Sequence, residues 1–249
     1  MATSLKNLKC YIMTANQSMG ALQASSYLLN KFWPVRPEVN VLGYDEPTFD
    51  LPDNYNFISL GKQRGLKYWS DDMIDFFSQC DDDLFYLTFE DAFIIRTIDE
   101  ELLQYCYDFC LNNLDENLLR FNLSADLQTR PHHVVESYDN FDLIEADQSA
   151  IFRLSLNHSI WNRKGLLSKL VRGETPHFFE NPKKSNSKFD GLGVYGFKKR
   201  YPLIYSEGYR RGKKVPNPFD NLLYPHGGIS KLNSEDIEVI NKNNWLPII

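Results

Sequence analysis

Apolar and polar positions along this chain fall in short blocks that switch between the period of a strand and that of a helix. Lys9 to Thr14 is a compact apolar run, and Ala21 to Phe32 carries apolar residues near helical spacing until Pro34 stops it. Glu38 to Tyr44 and Tyr55 to Leu60 read as two further strands, separated by a turn-rich stretch with Pro47, Pro52, Asp53 and Asn54. Ser70 can cap a helix over Asp71 to Cys80, whose Met73, Phe76, Phe77 and Cys80 share one face. After Asp83 the run to Ile95 is almost wholly apolar, as in a strand buried on both faces, and is broken only by Thr88 and by the adjacent acids Glu90 and Asp91.

Asp99 can cap a helix with Leu102, Leu103, Cys106, Phe109 and Cys110 on its inner face. Asn117 to Leu123 and Val134 to Tyr138 read as strands, and Phe141 to Ala146 as a short apolar segment. Ile151 to Leu156 alternates like a strand, and Asn162 to Val171 reads as a helix. Residues 181–193 and 206–221, rich in Gly, Lys, Asn or Pro, read as loops. The rhythm predicts a single α/β domain, a Rossmann-like and mostly parallel sheet flanked by helices.

Charge divides the chain. The net charge is −6, yet residues 1–150 hold 10 Lys/Arg against 25 Asp/Glu and residues 151–249 hold 17 against 8. Clusters such as Arg163-Lys164, Lys183-Lys184 and Lys198-Lys199-Arg200 either form a surface for a polyanion or are solvated faces that balance the acidic half. No apolar stretch approaches the ~20 residues of a membrane helix and the N-terminus has no signal-like apolar core, so a cytoplasmic protein is expected. Cys10, Cys80, Cys106 and Cys110 form no Cys-x-x-Cys pair and read as free thiols.

There is no Gly-x-Gly-x-x-Gly after the first strand, no Gly-Lys-Ser/Thr loop and no Gly-x-Ser-x-Gly elbow, which removes the usual signs of dinucleotide, P-loop and serine-hydrolase chemistry. What remains is a sheet whose first strand ends at Thr14-Ala15-Asn16 and whose fourth ends at Glu90-Asp91. Acids beside a core are costly unless a cation, a ligand or water meets them. The pair therefore marks either a ligand crevice at the strand ends or a turn whose acids face solvent. In the crevice reading, carboxylates holding Mg²⁺ or Mn²⁺ can bridge a diphosphate.

The blocks Leu60-Gly61-Lys62-Gln63, Trp69-Ser70-Asp71-Asp72 and Asp82 to Phe93, followed by Phe152 to Arg163 and Gly173 to Glu180, resemble in collinear order the GT-A-fold glycosyltransferases of phages and bacterial surface-polysaccharide clusters. The resemblance spans roughly residues 8–180. It implies a GT-A-like fold with a nucleotide-sugar half (1–125) and a basic acceptor half (126–249). The implied activity is transfer of a hexosyl or pentosyl unit from a nucleotide-diphosphate sugar, such as a UDP-sugar, to an acceptor hydroxyl, with inversion. The acceptor is a hydroxylated base in DNA or, alternatively, a surface glycan; a phage-encoded enzyme would work in the host cytoplasm. A non-catalytic nucleotide- or polyanion-binding module is the rival class.

Residue by residue, Glu90-Asp91 stands where the family has an Asp-x-Asp metal motif, with Asp91 the metal ligand and Glu90 on the opposite side if the strand geometry continues through it. Thr14, Asn16, Gln63 and Trp69 fall on the nucleoside side. Glu180 is the candidate base and Asp147 its reserve, since a partly screened carboxylate can take a hydroxyl proton. Asn157, His158, Trp161 and His177 fall on the acceptor side, although a Trp between Ile160 and a Leu-rich helix also reads as core. His226 can complete the metal site, and Arg210, Arg211 and Lys213 either fold over phosphates or form an ordinary surface loop.

Overall fold

The computed structural model describes residues 4–115, 117–180, 190–210, 213–220 and 230–246, the side chain of Arg210 excepted. Strands β1 (Lys9–Met13), β2 (Val39–Gly43), β3 (Tyr55–Ser59), β4 (Leu84–Phe89) and β5 (Ala92–Ile94) occupy the first part of the chain, with helices α1 (Ala21–Phe32), α2 (Trp69–Phe77) and α3 (Glu100–Asn112) between and after them. Then come β6 (Leu118–Asn122), β7 (His132–Ser137), β8 (Asp142–Ala146), β9 (Ser159–Asn162), α4 (Arg163–Lys169) and α5 (Pro176–Glu180). The last elements are β10 (Gly193–Lys198), β11 (Tyr205–Glu207), β12 (Tyr209–Arg210), β13 (Lys213–Lys214) and α6 (Ser234–Lys242).

Nine strands form one sheet in the order β3-β2-β1-β4-β9-β6-β10-β8-β7. Only β9 and β8 run against the other seven, so the sheet is mostly parallel and Rossmann-like, with helices on its faces. One sheet runs through both halves of the sequence, because β9 inserts between β4 and β6. The small pair β11–β5 stands at its end.

The central strand explains this architecture. Leu84 through Thr88 are all buried, and successive side chains of β4 enter different cores. Leu84 and Tyr86 join Cys10, Ile12, Trp33 and Ile160 on one face. Phe85 and Leu87 join Tyr11, Phe77 and Trp161 on the other, where Phe85 stacks on Phe77 at 4.4 Å between ring centroids. A two-sided apolar strand needs cover on both faces, and α1 and α3 supply it on one side while α2 and α4 supply it on the other.

Several elements depart from the sequence pattern. Ser70 is not a cap: the Leu66–Tyr68 turn of 3₁₀ helix runs straight into α2, and the Ser70 hydroxyl accepts instead from the Glu174 N–H at 2.9 Å. Asp99 does cap α3, accepting from the Leu102 N–H at 3.1 Å. The alternating segment 151–156 is a turn rather than a strand, because Phe152 takes φ 56° and Arg153 turns inward to Asp190. The stretches read as loops contain β10 at 193 and β12 and β13 beyond 206, while residues 181–189 lie outside the described residues. All four cysteines are free. Among the described residues no helix is long and apolar enough to cross a membrane.

The central position of β4 makes a direct prediction. Phe85→Ala, which removes a fully buried ring from the stack with Phe77, lowers unfolding stability by about 3–5 kcal/mol in urea titrations.

Candidate active site

The parallel strands end together, and the site is built where they end. Glu90 and Asp91 form the turn between β4 and β5. The Glu90 N–H donates to the Met13 carbonyl at 3.2 Å, tying the turn to β1, and the Asp91 carbonyl accepts from the Gly208 N–H at 2.7 Å, tying it to β11. Only glycine fits at 208, since a Cβ there would lie 2.4 Å from the buried Phe93 ring and 3.3 Å from the Asp91 carbonyl. Held from both sides, the two acids face different clefts.

Glu90 enters a small cleft of about 180 Å³ at the ends of β1 and β2, with Thr14, Gln63, Tyr44 and Trp69 in its wall. Its surface is mainly apolar, from Met13, Leu42, Leu60 and Met73, and Phe179 braces Trp69 edge-on at 5.5 Å. Gln63 accepts from the Asn16 N–H at 3.1 Å, and Asn16 bonds Asp45 at 2.6 Å, so Asn16 shapes the rim rather than the wall. Tyr44 donates to the buried Asp72 at 2.9 Å, and Arg64 pairs with the same carboxylate.

Asp91 enters a second, larger cleft of about 350 Å³ shared with Glu180, Asp126, Glu207 and Arg120. Phe89 lines both clefts, so they adjoin across the turn. Glu180 ends the short helix α5, and its Oε1 accepts from the Leu156 N–H at 2.7 Å. Asp126 accepts from Tyr205 at 2.9 Å and from Asn157 at 3.3 Å. Asn157 and the exposed His177 stand at this cleft.

Other candidates lie elsewhere. His158 is buried beneath the site, its Nδ1 2.5 Å from the Tyr86 hydroxyl and its ring against Tyr205. Trp161, on the interior strand β9, is fully buried under Arg120, so both are core residues. Asp147 is not in the cleft; it follows β8 near the edge strand, half exposed, 3.8 Å from His133. Lys213 is exposed on β13. Arg211 and His226 lie outside the described residues, as does the Arg210 side chain. Arg120, Asp126 and Glu207 carry no sequence motif and come from separate elements, which is why sequence reasoning passed over them.

Burial governs the charges here. It pushes the Glu90 carboxyl well above the usual range, helped by the adjacent Asp91 and opposed by the Ser18 hydroxyl. Asp91 is raised by burial and then by Glu207, with Glu180 adding to the repulsion. Glu180 is pushed up to about 7, again mainly by burial, while the Leu156 N–H and Arg120 pull the other way. Among the described residues no three His, Cys, Asp or Glu side chains gather closely enough to hold a metal ion. The oxygen donor Asp91, short of compensating charge, does fit a Mg²⁺ or Mn²⁺ shared with a bound diphosphate, because such ions take one or two carboxylates and fill the rest of their shell from phosphate and water.

No protein-family model matches this sequence, and no curated protein is significantly similar to it. Solved structures do resemble it. A cytidylyltransferase from Leptospira borgpetersenii serovar Hardjo-bovis (strain JB197) is 15% identical over 98% of this chain and 97% of its own, with a TM-score of 0.44. A CMP:2-keto-3-deoxy-manno-octonic acid synthetase complexed with CTP is 12% identical over 64% of this chain and 75% of its own, with a TM-score of 0.34.

Raised carboxyls fix the sign of a stability effect. The folded state binds these protons more tightly than the unfolded chain, so stability falls as pH climbs from the unfolded values near 4 through the raised folded values. Glu90→Gln removes one such buried charge: in denaturation curves it is more stable than the parent by roughly 1–3 kcal/mol at about pH 8.5 and indistinguishable near about pH 4.5.

Proposed function

We propose that this chain is a GT-A-type glycosyltransferase, which takes a sugar from a nucleotide-diphosphate donor and delivers it to an acceptor hydroxyl with inversion. The observation that carries the reading is the pair of adjoining clefts divided by the Glu90–Asp91 turn. A nucleoside in the apolar cleft, beside Thr14, Gln63 and Trp69, would lay its diphosphate across the turn and its sugar in the acid-lined cleft. The order of motifs along the sequence agrees with this division.

In this reading Glu180 takes the proton of the attacking hydroxyl as its oxygen bonds to the anomeric carbon, and the nucleoside diphosphate leaves from the opposite face. A carboxyl whose pKa lies near 7 is matched to that task at neutral pH. Asp91 would share a divalent cation with the diphosphate, which supplies charge neutralisation to the leaving group. Glu90, on the nucleoside side, is an acceptor for donor hydroxyls or base N–H groups.

The described cations favour a glycan over DNA as the acceptor. Arg163 pairs with Asp83 at 3.5 Å, Arg172 with Asp75 at 2.6 Å, Lys199 with Asp142 at 3.0 Å and Arg200 with Asp99 at 2.6 Å. Four cations of the second half are thus paired with acids of the first, which leaves less charge for phosphate contacts. A mobility shift on duplex DNA at low salt that weakens steeply as salt rises would reverse this choice.

Asp91→Asn and Glu180→Gln each reduce sugar transfer at least about 100-fold in a coupled assay for released nucleoside diphosphate, and the parent's kcat/KM rises with pH through an acid limb near 7. Wild-type turnover in both variants contradicts the assignment. Absence of turnover with every donor, alongside tight donor binding, identifies a binding module instead.

A further inference from the structure

Arg120 is a buried charge that the proposed chemistry leaves unexplained. Its side chain lies at the floor of the second cleft, 1% exposed, yet the groups that hold it are neutral. Its Nε donates to the Arg153 carbonyl at 2.9 Å, one Nη donates to the Ser159 hydroxyl at 2.6 Å, and the guanidinium lies over the Trp161 ring at 5.4 Å. A buried guanidinium without a touching carboxylate is costly, and such a group is retained where its charge acts on something. The negative charges that act on it are Asp126 and Glu180.

One short loop fixes the distance between cation and base. Arg153 accepts from Arg120, and three residues further on the Leu156 N–H holds Glu180. That loop is itself clamped, since Arg153 makes two parallel bonds of 3.0 Å to Asp190, which Lys169 also meets at 2.8 Å. Backbone and a buried bidentate pair, rather than two free side chains, set the geometry. The other charged or titratable groups in the cleft are Asp91, Glu207 and Asp126, the Tyr209 phenol, His177 on the same short helix as Glu180, and Arg130, whose guanidinium lies over Phe152 at 5.1 Å; Tyr205 bonds Asp126 from behind. Acids outnumber cations around Glu180, and Arg120 is the cation sealed beneath it.

We propose that Arg120 is a positioning residue, a fixed positive charge that keeps Glu180 ionised and able to accept the acceptor's proton within a cleft otherwise dominated by acids. This rests on Glu180 being the base. Burial lowers the Arg120 pKa only to about 10, so the guanidinium stays charged throughout the working range.

The test reads Glu180 directly. In protein carrying ¹³C-labelled glutamate carboxyls, the Glu180 resonance is assigned by its loss in Glu180→Gln and titrated in the absence of substrate. In Arg120→Gln, whose amide can still bond neighbouring oxygens, the Glu180 midpoint rises by about one pH unit or more. The acid limb of kcat/KM moves with it, while KM for the donor stays close to the parent value. Arg120→Lys, which restores the charge, returns the midpoint to within about half a unit of the parent. An unmoved midpoint in Arg120→Gln overturns the proposal. Should that variant fail to fold, Arg120→Lys decides alone: a parental midpoint supports the role, and a rise of about one unit overturns it. Full transfer activity in Glu180→Gln would instead remove the base assignment, and the carboxyl titration would still report whether Arg120 governs Glu180.

Discussion

Two neighbouring carboxylates at the end of a core strand, one buried and one partly buried, each need their own surroundings, and the structure is arranged around that constraint. The turn after β4 carries Glu90 and Asp91 to different sides, where separate clefts receive them. The backbone of the turn is fixed by the Met13 carbonyl on one side and the Gly208 N–H on the other, which joins it to β1 and to the end of β11. The apolar length of β4 explains why the turn sits so deep: a strand covered on both faces places its end at the junction of two cores. Unrelieved carboxyl repulsion is the cost of this arrangement, and sites that hold such strain are poised for a ligand that relieves it.

The same economy of charge shows over the rest of the molecule. An acidic first half and a basic second half become cross-linked by ion pairs once folded, through Arg163, Arg172, Lys199 and Arg200 from one side and Asp83, Asp75, Asp142 and Asp99 from the other. Exposed pairs of this kind each contribute little to stability. Their effect is on the surface, where some of the cations that read in sequence either as a polyanion surface or as solvated faces are met by acids of the first half. The buried pair Arg153–Asp190 is of another kind, because it holds the loop whose backbone bonds both Glu180 and Arg120.

Much of the fold was legible because local period and burial agree. The apolar spacing from Ala21 to Phe32 marks α1 to the residue, and the nearly continuous apolar run to Phe89 marks a central strand. Glu90 and Asp91 do face different clefts, but they lie in the turn after Phe89, so their division comes from the turn and not from strand period. The segment 151–156 misled because alternation of apolar and polar residues implies a strand only if the polar ones face water, and Arg153 faces Asp190 in the interior. His158 fell among the acceptor-side residues only through the resemblance, while Trp161, which also reads as core from its neighbours, is core because β9 lies inside the sheet. Arg120, Asp126 and Glu207 were invisible for the same reason: each gains meaning only when β6, the following loop and β11 meet at one cleft.

The claim on which this account stands is that the two clefts receive one ligand across the Glu90–Asp91 turn. Thermal unfolding of the parent and of Asp91→Asn in a panel of nucleotide-diphosphate sugars, each with and without Mn²⁺, tests it most directly, because a ligand of the native state raises the midpoint by mass action. The account predicts that at least one such donor raises the parent's midpoint more with Mn²⁺ than without, and more than the free nucleoside does, with the Mn²⁺ increment lost in Asp91→Asn. A parent midpoint that no nucleotide-diphosphate sugar moves, with or without the metal, would contradict it.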